Sequence, residues 1–121
     1  MDLRNRTRAQ YARLLQTYAA LPADTPCEQR WTWLMAAHVA GQPVLALHLD
    51  SHLHMLRLAW RTGDRVEAAG QLLRLALVPL GHAFGRLPAG NVGRATVSAF
   101  RPMRPPREVR RALAWARRGG P

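Results

Sequence analysis

"HVAGQPVLALHLDSHLHM", residues 38–55, decides the fold, because it holds a helix ending, a short break and a new helix. Gly41-Gln42-Pro43 is the break: a glycine closes the last turn and a proline cannot continue it. Before it, Cys27, Trp31, Leu34, Met35 and His38 fall on one stripe of a helix expected from about Pro26 to Ala40. After it, a helix is expected from about Val44 to Arg61, with His48 and His52 one turn apart on one face and Met55 continuing the line. Leu45, Leu49, Leu56 and Ala59 flank that line, while Asp50, His54, Arg57 and Arg61 group on the other side. So short a connection folds the two helices into an antiparallel hairpin, which brings His38 toward His48 and His52.

The same reasoning extends in both directions. Residues 5–20 place Ala9, Tyr11, Ala12, Leu14, Leu15, Tyr18 and Ala19 at helical spacing, and LPADTP breaks that first helix. Thr25 stands as a cap before Pro26, with Glu28 in capping-box register. Downstream, Thr62-Gly63-Asp64 separates the third helix from a fourth, expected over Arg65 to Leu77 and ended near Pro79 and Gly81. Its Glu67, Gln71 and Arg74 form a polar stripe that reads as a solvated edge.

"GDRVEAAGQLLRLALVP", residues 63–79, resembles the second-helix half of a tetratricopeptide repeat, with small Ala68 followed by Leu72 and Leu75. After Gly81 the chain becomes rich in Gly and Pro. An ordered loop over residues 82–106 is expected, with Ala95 to Phe100 as a short extended segment and Phe84, Leu87, Val92, Val97 and Phe100 as its anchors. Residues 107–121 read as a basic C-terminal helix and tail. The fold class is therefore all-α: about four helices in two tetratricopeptide-like hairpins over residues 1–81, a wrapped segment, and a short last helix, one domain in all.

Composition narrows the function classes. All 18 basic residues are arginine, and the formal charge is +11. Residues 101–121 hold 7 Arg against 1 acid, a net +6, so the excess charge is concentrated at the C-terminal end. Arg107, Arg110 and Arg111 are candidates for binding phosphate on nucleic acid, a lipid surface or another polyanion. No helix-turn-helix, zinc finger or aromatic platform accompanies them. The single cysteine, Cys27, excludes an internal disulfide and sits on the stripe with Trp31 and Leu34, which reads as buried and inert. With no apolar run of about 18 residues and a polar N-terminus, a cytoplasmic protein without a membrane span is expected.

The histidines are the main chemical signal. Three imidazoles from one hairpin suit zinc, copper, nickel or iron, and the i, i+4 pair lets two bind one ion from a rigid helix. Met35, Met55 and Glu67 are possible accessory ligands, and His54 and His82 read as surface or loop residues, with His82 also able to reach over the bundle end. The competing reading makes His38, His48 and His52 neutral, hydrogen-bonded core residues of a protein-interaction scaffold. The pattern also admits haem ligation or general acid–base work by one of them, but no HExxH motif, Ser-His-Asp arrangement or cofactor fingerprint directs an enzymatic reading. A non-enzymatic binding module is the expectation.

"AHVAGQ", the His48 and His52 spacing, "EAAGQLLRL", "GRLPAGNVG" and "VSAFRPM" together resemble an uncharacterised bacterial family, domain of unknown function 3703. The chain departs from that pattern at Val92, where threonine is usual, at Arg94, where glycine is usual, and at "RPMRPP". The resemblance implies an architecture and marks positions; it implies no activity.

Overall fold

Asp2 accepts a hydrogen bond from the Asn5 amide at 2.8 Å and so starts α1, Leu3–Ala19. The chain is seen here in a computed structural model that describes residues 2–85, 87–98 and 101–119. Four further helices follow: α2 Cys27–Gly41, α3 Leu45–Arg61, α4 Arg65–Ala83 and α5 Arg107–Arg117. No strand occurs among the described residues. The count among the described residues is therefore five, because the C-terminal segment packs as a full member of the bundle.

Several boundaries differ from expectation for physical reasons. Pro26 itself takes the cap position of α2 without a side-chain bond, so the Thr25 and Glu28 capping box does not form. Cys27 consequently lies in the first turn and is exposed rather than buried. Gly41 is the last residue of α2 rather than a residue beyond it, and it is required there by packing. A Cβ at that position would meet the Tyr11 ring at 2.8 Å. α4 runs through Pro79 to Ala83, past the boundary expected at residue 81. Pro79 faces solvent, so the Leu75 carbonyl that it leaves without an N–H is not trapped in the core.

α1 packs on α2, α2 on α3 and α3 on α4, while α5 returns to lie on α1 and α2. One apolar cluster joins Tyr11 and Leu14 of α1, Ala36 and Ala37 of α2, and Val109, Ala112, Leu113 and Ala116 of α5. A second joins Tyr18, Trp31, Leu34, Met55, Leu58, Ala59 and Ala68. Burying one leucine side chain contributes about 1.5–3 kcal/mol, so these clusters hold the bundle. α5 is tied down further: Arg13 Nε donates to the Ala116 carbonyl at 2.8 Å. Arg107 and Arg111 remain exposed, and Arg110 donates to the Pro105 carbonyl at 2.8 Å.

The connection between α4 and α5 is held by buried Asn91. Its side-chain amide donates to the carbonyls of Ser98 and Arg101 at 2.7 and 2.8 Å, and its Oδ1 accepts from the Gly93 amide at 2.9 Å. Residues 95–97 form a turn and bend rather than the expected extended segment. Val92 is an anchor at 2% exposure, and Leu87 and Val97 are partly buried, but Phe84 is 74% exposed and anchors nothing. Phe100 lies outside the described residues. No helix is long and apolar enough to cross a membrane among the described residues.

Candidate metal centre

His38 is in the last turn of α2, His48 in the first turn of α3, and His52 one turn further on. The short break at Gln42, Pro43 and Val44 folds α3 back, and all three imidazoles are buried at 2%, 5% and 2% exposure. Their ligand nitrogens lie within 4.8 Å of one another. His38 Nε2 is 3.0 Å from His48 Nε2 and 3.1 Å from His52 Nε2. A tetrahedral ion with metal–nitrogen bonds of about 2.0–2.1 Å holds its donors roughly 3.3–3.4 Å apart. The two short separations are within a few tenths of an ångström of that value.

The outer nitrogens have partners of their own. His38 Nδ1 faces the Asn91 carbonyl at 2.8 Å, and a carbonyl only accepts, so the proton of neutral His38 is on Nδ1. His52 Nδ1 faces Gln71 Oε1 at 2.6 Å. The Gln71 amide cannot be reversed, because its nitrogen already donates to Glu67 Oε2 at 3.0 Å and to the Gly93 carbonyl at 2.9 Å. Neutral His52 therefore also carries its proton on Nδ1. His48 Nδ1 is 3.0 Å from Nε2 of His82, in the last turn of α4.

Proton accounting then exposes a deficit. With both outer protons committed, Nε2 of His38 and Nε2 of His52 face each other as two lone pairs, with no hydrogen between them. Charging one ring would supply a proton, but the surroundings oppose it. Burial, reinforced by the neighbouring imidazoles, holds His38 well below the usual histidine range. Burial, then His52 and His82, pulls His48 down to about 3. Burial lowers His52 to about 4 although the Gln71 acceptor favours its charged form.

A layer of polar residues stands behind the imidazoles. Glu67 is 2% exposed and accepts from Gln71, from the Ala95 amide at 2.6 Å and from Arg94. Arg94, at one of the positions that depart from the resemblance, also lies over the Trp31 ring at 3.8 Å. Gln71 is fully buried and Arg74 nearly so, donating to the carbonyls of Gly70 and Val97. The stripe of Glu67, Gln71 and Arg74 is thus interior and not a solvated edge. Gly93 completes the cradle at φ +85, where a Cβ would meet the His38 ring at 2.7 Å.

The expected site residues sort by this geometry. His38, His48 and His52 come together. Met55 belongs to the apolar cluster with Leu34 and Leu58, and Met35 is partly buried beside it. Glu67 is linked to His52 through Gln71. Arg107, Arg110 and Arg111 belong to α5, which packs on α1 and α2, and none of them lines the space beside the imidazoles. Sequence reasoning missed the interior placement of Gln71, Arg74 and Asn91, though not the reach of His82. No local signal marked it: Val66, Leu73 and Leu80 on the opposite face of α4 would ordinarily face the core, yet they are 79%, 56% and 54% exposed.

Fold and site together define a small all-helical protein with a buried histidine cluster supported by its own polar shell. Residues 5–113 match the family described as Protein of unknown function (DUF3703), and the chain belongs to that family. No curated protein and no solved structure matches the chain.

Proposed function

We propose that the chain binds one divalent transition-metal ion through Nε2 of His38, His48 and His52. The observation that carries this reading is that the Nε2 lone pairs of His38 and His52 face each other 3.1 Å apart with no hydrogen between them, and the His48 Nε2 stands 3.0 Å from the first. An unmade buried hydrogen bond costs about 1–3 kcal/mol. A structural zinc ion returns about 10–16 kcal/mol in small zinc domains, so a cation resolves the deficit with a large margin. The outer partners have the form that metal-bound histidines favour: a carbonyl, and an amide oxygen backed by a carboxylate.

Imidazole donors suit zinc, copper(II), nickel and iron(II). The placement of Met55 in an apolar cluster argues against a thioether-rich copper(I) site. Elemental analysis by mass spectrometry of the untagged protein, beside a folded His48→Ala, His52→Ala variant, tests the reading. The expected result is near-stoichiometric metal in the first and none in the second. Metal-free protein that also refuses added zinc, copper, nickel and iron overturns it.

One observation favours a second reading, a protein-interaction scaffold of repeat-like hairpins with structural histidines. A groove of about 710 Å³ runs beside Tyr18, Leu56, Trp60 and Leu72, with Trp60 77% exposed. The metal-free outcome leaves this reading as the better one.

A further inference from the structure

Arg74 is 8% exposed, and among the described residues no carboxylate lies within ion-pair distance of it. Glu67 acts on it through space, but that carboxylate is already ion-paired with Arg94. One carboxylate thus serves two guanidiniums, and the surroundings of the histidines carry a net positive charge. Three neutral imidazoles bring none to offset it, and a divalent ion would add two more. Burying unbalanced charge costs several kcal/mol for each ion, so a metal-loaded site has a strong requirement for a negative ligand.

There is space for one in the right place. A cavity of about 50 Å³ is lined by His38, His48, His52 and Arg74, with Leu77 and Val78 among its apolar walls. That is well above the roughly 10–15 Å³ that admits a single water. A guanidinium has five N–H groups, and the carbonyls of Gly70 and Val97 engage Arg74 through only two of its nitrogens. Three histidine ligands also leave a tetrahedral ion one open position.

We infer that this cavity is a binding site for a small monoanion, held between the metal's open position and the Arg74 guanidinium. The inference rests on the metal reading above. It assigns Arg74 the role of selecting charge and the apolar walls that of limiting size. Anions of three or four heavy atoms match the space beside the histidines and Arg74.

Cobalt(II) loading gives the test, because its visible bands report coordination directly. Cobalt uptake by the untagged full chain is measured first, in chloride-free buffer, and the loaded protein is then titrated with azide. The expected result is a saturable change in the cobalt bands, with the azide dissociation constant raised roughly tenfold or more in Arg74→Gln, as loss of a charged hydrogen bond implies. Arg74→Lys should recover part of the affinity. If Arg74→Gln does not fold, Leu77→Phe narrows the cavity without touching the cation and should abolish the response. Cobalt bound stoichiometrically with no azide response, or with equal affinity in Arg74→Gln or Leu77→Phe, overturns the anion site and leaves the metal reading standing. No cobalt uptake overturns both.

Discussion

Leu14 and His52 are almost equally hidden from solvent, at 0% and 2% exposure, yet their neighbourhoods follow opposite rules. Leu14 sits among alanines, Val109 and Leu113 where α1, α2 and α5 meet, and the Tyr11 hydroxyl of that cluster reaches out to Asp50 at 2.7 Å. His52 sits where α2, α3, α4 and the segment near Asn91 meet, and each buried polar atom there is aimed at another. In the first region, burial itself is the stabilising term, and it is tolerant of detail. In the second, burial is a cost that only a complete set of partners offsets. One chain thus separates the region that holds the fold from the region proposed to hold a ligand.

The largest expected break between the two comes from His52→Ala. Bound metal falls from near-stoichiometric to near zero by elemental analysis, while the stability of the metal-free protein in urea changes less than in the next variant. Leu14→Ala does the reverse: it costs about 2–5 kcal/mol, read as a lower urea midpoint, and the folded fraction keeps its metal. Gln71→Leu sharpens the comparison from behind the site. Loss of an outer partner lowers metal affinity by about 10–100-fold, measured by competition with a chelator of known affinity.

The metal-free protein should also respond to pH in the polar region alone. His38, His48 and His52 titrate below an unfolded histidine at about 6.5, so below that pH the unfolded chain binds more protons than the native one. Melting temperature therefore falls as pH drops from about 6.5 toward 4. Replacing His38 and His52 together by glutamine flattens that slope. The smallest effect belongs to Arg107→Gln with Arg111→Gln, on the exposed side of α5: melting temperature and metal content stay unchanged, and any retention on a polyanion column falls and elutes at lower salt.

Much of this comparison was legible in the sequence. Gly41, Pro43 and the i, i+4 spacing of His48 and His52 sufficed to bring three imidazoles together, because a short break and a helical repeat leave little freedom. α4 was misread for an equally clear reason. Glutamate, glutamine and arginine at helical spacing normally face water, and the apolar residues opposite them normally face the core. Here the buried acceptors and cations of neighbouring elements reverse the preference, and Val66, Leu73 and Leu80 are left outside. Asn91 lies inside the quoted stretch "GRLPAGNVG", but its role toward His38 depends on a contact 53 positions away and has no local signature.

That contact has a kinetic consequence. The Asn91 carbonyl reaches His38 only after the chain has closed a loop of 53 positions, and the adjoining Val92 enters the apolar cluster at the same moment. Contacts between such distant positions form late, since loop-closure entropy is spent before they return anything. An ion that needs the finished cradle binds the native state and not the folding transition state. It therefore leaves the folding rate nearly unchanged and slows unfolding, making the occupied centre a latch on the way out.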